Sequence, residues 1–135
     1  MKNAVENPVS DEAELTIAVL AAGRWVVEIG GVPALKSKVM TIVSELGRNI
    51  LKYAGRGRIH CELIDHRARR GIQIVVEDRG PGIGDLEAAM SDHFSTGGTL
   101  GLGLPGVRRM VDDFDLQSKL GEGTTVRVRI WIDRN

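Results

Sequence analysis

The sequence predicts an α/β fold of the α+β kind: a two-layer sandwich in which a mixed, mainly antiparallel sheet carries helices on one face, in a single domain over residues 1–135. Three observations predict it. Strand-like segments arrive in adjacent pairs joined by short turns, whereas helical segments stand in separate blocks, which does not suit a doubly wound fold. The helical and strand periodicities are both well developed. A chain of 135 residues with 42% hydrophobic and 27% charged residues has the size and composition of one ordinary globular domain.

The elements follow in order. "LTIAVL" (15–20) alternates Leu15, Ile17 and Val19 and reads as a first strand. "AAGRWVVEIGG" reads as a short helix closed by Gly30 and Gly31. Pro33 opens a long helix running to about Ala54, because its missing N–H costs little in the first turn, and Gly55 stops it. Along this helix Val39, Ile42, Val43, Leu46, Ile50 and Tyr53 form the apolar stripe. "RIHCELID" and "GIQIVVED" are a strand pair joined by the basic turn "HRARRG", with Ile72, Ile74 and Val76 facing the core. A short helix "DLEAAMSD" and a glycine-rich loop come next, then the helix "LPGVRRMVDDF". "DLQSKLG" and "TTVRVRIWI" close the chain as a hairpin, with Val126, Val128, Ile130 and Ile132 on one face.

Composition removes several function classes. The 18 basic and 18 acidic residues cancel, so nothing in the total charge favours non-specific binding to nucleic acid or anionic membrane. Aromatics make up 4%, too few for base-stacking platforms. The single Cys61 offers no internal disulfide and no zinc spacing. Residues 1–14 carry acids and a proline without an apolar core, which is neither a signal peptide nor a membrane span; the expected location is the cytoplasm.

The chemistry concentrates in four places. In "SELGRNILKYAG", Glu45, Arg48, Asn49 and Lys52 run down a polar stripe of the long helix, and the weak helix formers Gly47 and Asn49 sit in its middle. "EDRGPGIG" leaves a strand end, with Asp78 as an acceptor and Gly80 and Gly82 able to let backbone approach a flat ligand. In "GTLGLGLPGV" the glycines stop where a helix starts, an arrangement that frees N–H groups for an anion. It is neither a dinucleotide fingerprint nor a Walker loop. "GEGTT" precedes the final strand. Each is weak evidence alone.

Together, in this order and spacing, they resemble the GHKL (Bergerat) ATP-binding fold of gyrase, Hsp90, MutL and histidine kinases, over nearly the whole chain. "SELGRNILKYAG" and "GLGLPGVRRMVDDF" are most similar to the small switch kinases of the bacterial stressosome, relatives of anti-sigma-factor kinases (the RsbT type). The resemblance implies Asn49 as the magnesium ligand and Glu45 as the general base. It implies Lys52 as a neutraliser of phosphate charge and Asp78 as the adenine-binding acceptor. Gly80, Gly82 and Ile83 would line the base pocket, and Thr125 would support the adenine. Thr99, Leu100, Gly101, Leu102 and Gly103 would wrap the phosphates, with residues 92–100 as a mobile lid. Arg48 is left between phosphate neutralisation and a solvated salt bridge. None of His60, His66 and His93 stands in a phosphoacceptor context.

The implied function is that of an ATP- and Mg2+-dependent protein serine/threonine kinase in a stress-signalling switch. It would phosphorylate STAS-domain proteins of the stressosome and, once released, bind and activate a partner phosphatase. Two alternatives stand beside it: an anti-sigma factor acting mainly by sequestration, and a GHKL ATPase or histidine-kinase fragment.

Overall fold

The computed structural model describes residues 3–81 and 103–132. The described elements are β1 (Ala4–Val9), α1 (Glu12–Glu28), α2 (Pro33–Tyr53), β2 (Gly57–His66), β3 (Arg69–Asp78), α3 (Gly103–Met110), β4 (Asp113–Lys119) and β5 (Gly123–Trp131). The strands form one five-stranded sheet in the order β1-β2-β3-β5-β4, and every described pairing is antiparallel.

The N-terminal expectation needs correcting. "LTIAVL" is helical and belongs to α1, which also absorbs the short helix expected after it. Its alternation is an accident of a short apolar run, which period alone cannot assign. Helical spacing wins because Leu15, Ala18, Ala22, Trp25 and Val26 all become buried on one side of α1. The start signal is a cap: Asp11 accepts a hydrogen bond from the Glu14 N–H at 2.8 Å, and Glu14 accepts in return from the Ser10 N–H at 2.8 Å. The first strand lies upstream, where β1 pairs with β2 in the register Val5↔Cys61 and Val9↔Gly57.

The two faces of the sheet explain why the helices stay on one side. Ile59 and Cys61 of β2, Ile72, Ile74 and Val76 of β3, and Val126, Val128 and Ile130 of β5 are all buried. They meet Val39, Ile42, Val43, Leu46 and Ile50 of α2, and α1 packs beside it, in one apolar core. Each buried side chain of this kind contributes roughly 1.5–3 kcal/mol. The opposite face is a polar ladder. Arg58 lies 3.3 Å from Glu77 and 3.9 Å from Glu6, and Gln73 links Glu62 to Arg129 through bonds of 3.0 and 2.8 Å. No apolar layer could cover it without burying those charges.

Two ends differ from expectation by a few residues. The helix α3 stops at Met110 and β4 begins at Asp113, so Asp113 and Phe114 belong to the strand and Val111 and Asp112 link the two. Ile132 lies beyond β5 and is exposed, while Trp131 is buried, donating its indole N–H to Asp113 at 3.1 Å. Burial also pushes the Cys61 thiol up to about 12, which leaves it an inert core residue.

Candidate functional site

The helix α2 supplies the first part of the site. Its inner stripe holds it to the sheet, so Glu45 and Asn49, one turn apart, face the same neighbour, the start of α3. Gly47 between them has a packing reason. A Cβ there would overlap Leu15 Cδ1 of α1 and come within 3.5 Å of Ile59 Cδ1. Of the two weak helix formers, the glycine therefore belongs to the α1–α2 interface.

Asn49 has no such reason. Its Nδ2 is buried and lacks a hydrogen-bond partner among the described residues. An orphaned buried amide costs about 1–3 kcal/mol. Asn49 lines a cavity of about 20 Å³ together with Tyr53, Asp78, Leu104 and Thr124, floored by Val76. A half-turn about χ2 exchanges the oxygen and nitrogen ends of the amide. The side chain thus offers an unmet polar end at a small cavity, as a ligand-binding group does.

The far wall comes from the end of β3. Asp78 is half-buried, and its Oδ1 accepts from the Gly80 N–H at 2.9 Å. Gly80 is obligatory: a Cβ there would overlap Ala54 Cβ at the end of α2 and lie 2.7 Å from its Cα. The turn after Asp78 is thereby pressed against α2. Tyr53 is also part-buried, and desolvation raises its phenol above the ordinary value.

The helix α3 forms the third side. Its first residue, Gly103, has φ +65° and donates its N–H to Glu45 Oε2 at 3.3 Å. The other oxygen of Glu45 lies 3.7 Å from Arg48 Nη1. The Glu45 side chain retains 11% of its accessible surface, whereas Arg48 retains 50%. A helix N-terminus carries a partial positive charge, so a carboxylate there is favourably placed.

The structure brings Asn49, Asp78 and Gly80 together, with Glu45 and Gly103 adjoining them through α2 and α3. At the start of β5 it is the neighbour of Thr125 that reaches the cavity. Thr125 pairs with Glu77 and faces away from the helices, while its neighbour Thr124 is buried and lines the cavity, bonded through Oγ1 to Ser118 Oγ at 2.8 Å. The alternation that put Val126, Val128 and Ile130 in the core already assigns Thr124 to that face. Lys52 stands on the exposed side of α2, 5.3 Å over the Tyr53 ring, and does not line the cavity. Gly82, Ile83, Thr99, Leu100, Gly101, Leu102 and the expected lid at 92–100 lie outside the described residues. Sequence reasoning missed the contact from Gly103 to Glu45, which no local spacing signals.

Comparison with known proteins bears on the family and the fold. Residues 34–134 match the family described as histidine kinase-, DNA gyrase B- and HSP90-like ATPases. The serine/threonine-protein kinase RsbT of Bacillus subtilis is 44% identical over 117 residues, covering 86% of this chain and 88% of that protein. An anti-sigma F factor of Caldanaerobacter subterraneus is 31% identical over 105 residues, covering 72% of this chain and 71% of that protein. Among solved structures, the mycobacterial sensor histidine kinase MprB aligns over 94% of this chain and 97% of its own, with TM-score 0.55 and 20% identity. A chain of the SiaB–SiaC complex from Pseudomonas aeruginosa aligns over 96% of this chain and 89% of its own, with TM-score 0.55 and 12% identity. These two likenesses speak to the fold alone. No described helix is long and apolar enough to cross a membrane. The chain belongs to the histidine kinase-, DNA gyrase B- and HSP90-like ATPase family, and within it is a serine/threonine-protein kinase like its 44%-identical relative.

Proposed function

We propose that this kinase transfers the γ-phosphoryl group of ATP to a serine or threonine hydroxyl of a STAS-domain stressosome protein in the cytoplasm, and that once released from that protein it binds and activates a partner phosphatase. The observation that carries the reading is the pairing on α2. Glu45 sits against the start of α3, and one turn on, Asn49 presents beside Asp78 a buried amide with no partner among the described residues.

The roles follow from chemistry. Asp78 accepts from the adenine amino group with the oxygen that Gly80 leaves unused. The N–H groups at the start of α3 favour the negative charge of the phosphates. Glu45 takes the acceptor hydroxyl proton as its oxygen bonds to the γ-phosphorus and the bond to the ADP oxygen breaks. Magnesium fits the donor set, since Asn49 offers one hard amide oxygen and this ion binds through few protein groups plus phosphates; when bound it neutralises phosphate charge.

Radiolabelled ATP with purified STAS-domain proteins tests the reading. An acid-stable phosphoprotein supports it, and an acid-labile product points to phosphohistidine instead. The anti-sigma F likeness favours a second reading, sequestration of a sigma factor. Failure to retain any sigma factor in a pull-down removes it.

A further inference from the structure

We propose that Arg48 is a positioning residue for Glu45. Glu45 Oε2 accepts from the Gly103 N–H at 3.3 Å, and Oε1 lies at ion-pair distance, 3.7 Å, from Arg48 Nη1, so each carboxylate oxygen faces its own positive group. The two groups differ in kind. The Gly103 N–H belongs to the helix start that the phosphates would occupy, and an anion of higher charge there competes with the carboxylate for the same N–H. Arg48 rides on α2 itself, one turn from Glu45, and stays with it whatever binds at α3. With nucleotide in place Arg48 is therefore, among the described residues, the charge left to orient the carboxylate, drawing one oxygen toward α2 and leaving the other for the acceptor proton. In the transfer that proton passes to Glu45, the acceptor oxygen bonds to phosphorus, and ADP departs with the bridging oxygen.

The geometry also separates this role from phosphate neutralisation. Arg48 does not line the cavity that Asn49, Asp78 and Thr124 share, and half of its side chain remains exposed. An ordinary exposed i,i+3 pair would be worth little. Here one partner is largely buried, so the pair orients a group that has few other positions open to it.

The inference rests on the kinase reading, and the experiment keeps the two apart. Arg48→Ala and Arg48→Lys are compared with the natural protein in nucleotide affinity, kcat and KM for phosphotransfer to a STAS-domain protein. The expected result for Arg48→Ala is an ATP Kd within about threefold of the natural value and a kcat lowered about 10- to 100-fold, the scale of a misplaced catalytic group. Arg48→Lys should restore most of kcat. A large rise in Kd with kcat unchanged would make Arg48 a phosphate contact and overturn the proposal; so would no change in either. A second arm needs no catalysis. In nitrogen–proton spectra of the nucleotide-free protein, Arg48→Ala should move the Gly103 amide resonance, because the carboxylate it bonds loses its second anchor. An unmoved Gly103 amide overturns the proposal even if no STAS-domain protein is ever phosphorylated, an outcome that would count against the kinase reading instead.

Discussion

Gly123 passes Asp78 so closely that a Cβ on it would overlap the Asp78 carbonyl oxygen and lie 2.8 Å from Arg79 Cα. Its φ of +106° is one that side-chain-bearing residues rarely adopt. The glycine of "GEGTT" thus sets the height of β5 beside the residue read as the adenine acceptor. Gly123→Ala should cost about 2 kcal/mol or more from strain and overlap together. It should lower Tm by several degrees and weaken ATP binding through displacement of Asp78. Calorimetric melting and titration on the same variant measure both; unchanged values would show that β5 yields at no cost.

Asp78→Asn is the sharper probe of adenine recognition. Asn keeps an oxygen for the Gly80 N–H bond at 2.9 Å, so the turn should survive. It replaces the second acceptor by a donor, which faces the adenine amino group badly. ATP affinity should fall tenfold or more, in line with about 1–3 kcal/mol for an unmet buried polar group. A folded variant that binds ATP normally would remove the assignment.

Asn49→Ala should raise stability while damaging function. It deletes a buried amide that has no partner among the described residues and a poor helix former, worth up to about 0.7 kcal/mol in the helix term alone. Magnesium-dependent ATP binding and transfer should both fall, as expected of a group kept for a site at the expense of the fold. A more stable, fully active protein hands Asn49 back to chance.

Glu45→Ala should behave differently from Asn49→Ala. ATP binding should stay nearly intact, since the carboxylate competes with phosphate rather than holding it. Phosphotransfer should slow by on the order of 10²–10⁴-fold. Transfer at the natural rate would mean that Glu45 only caps α3.

Cys61 gives a pH test of the core. The folded thiol is raised from an ordinary 9.0 to about 12 by burial. Between these values the unfolded chain has released a proton that the folded one retains, so stability falls as pH rises across that window. The slope is about 1.4 kcal/mol per pH unit from this group. Cys61→Ala should flatten that part of the stability curve, and thiol reagents should label the natural protein at its unfolding rate. Rapid labelling of the folded state would contradict the burial.

How much of this was legible depends on how local each cause is. The long helix, the β2–β3 pair and β5 were legible because their periodicity and turn residues are contained in a few consecutive positions, and the core faces of β3 and β5 followed from alternation. Glu45 and Asn49 could be singled out as a polar pair on one helix face, but their roles came only through the resemblance. The first strand was misplaced because "LTIAVL" satisfies two periods, and its capping signature at Asp11 and Glu14 was passed over. Three things were settled only by packing across distant segments. Gly47 answers to Leu15 of another helix, Thr124 rather than Thr125 reaches the cavity beside Asp78, and Glu45 meets the Gly103 N–H 58 residues on. Sequence alone therefore determined the elements whose signals are local, α2, β2, β3 and β5, and which residues are polar out of place. The tertiary structure decided which of those polar groups share a cavity and which donor each one faces, because contact between distant segments depends on how α1, α2 and α3 are stacked on the sheet.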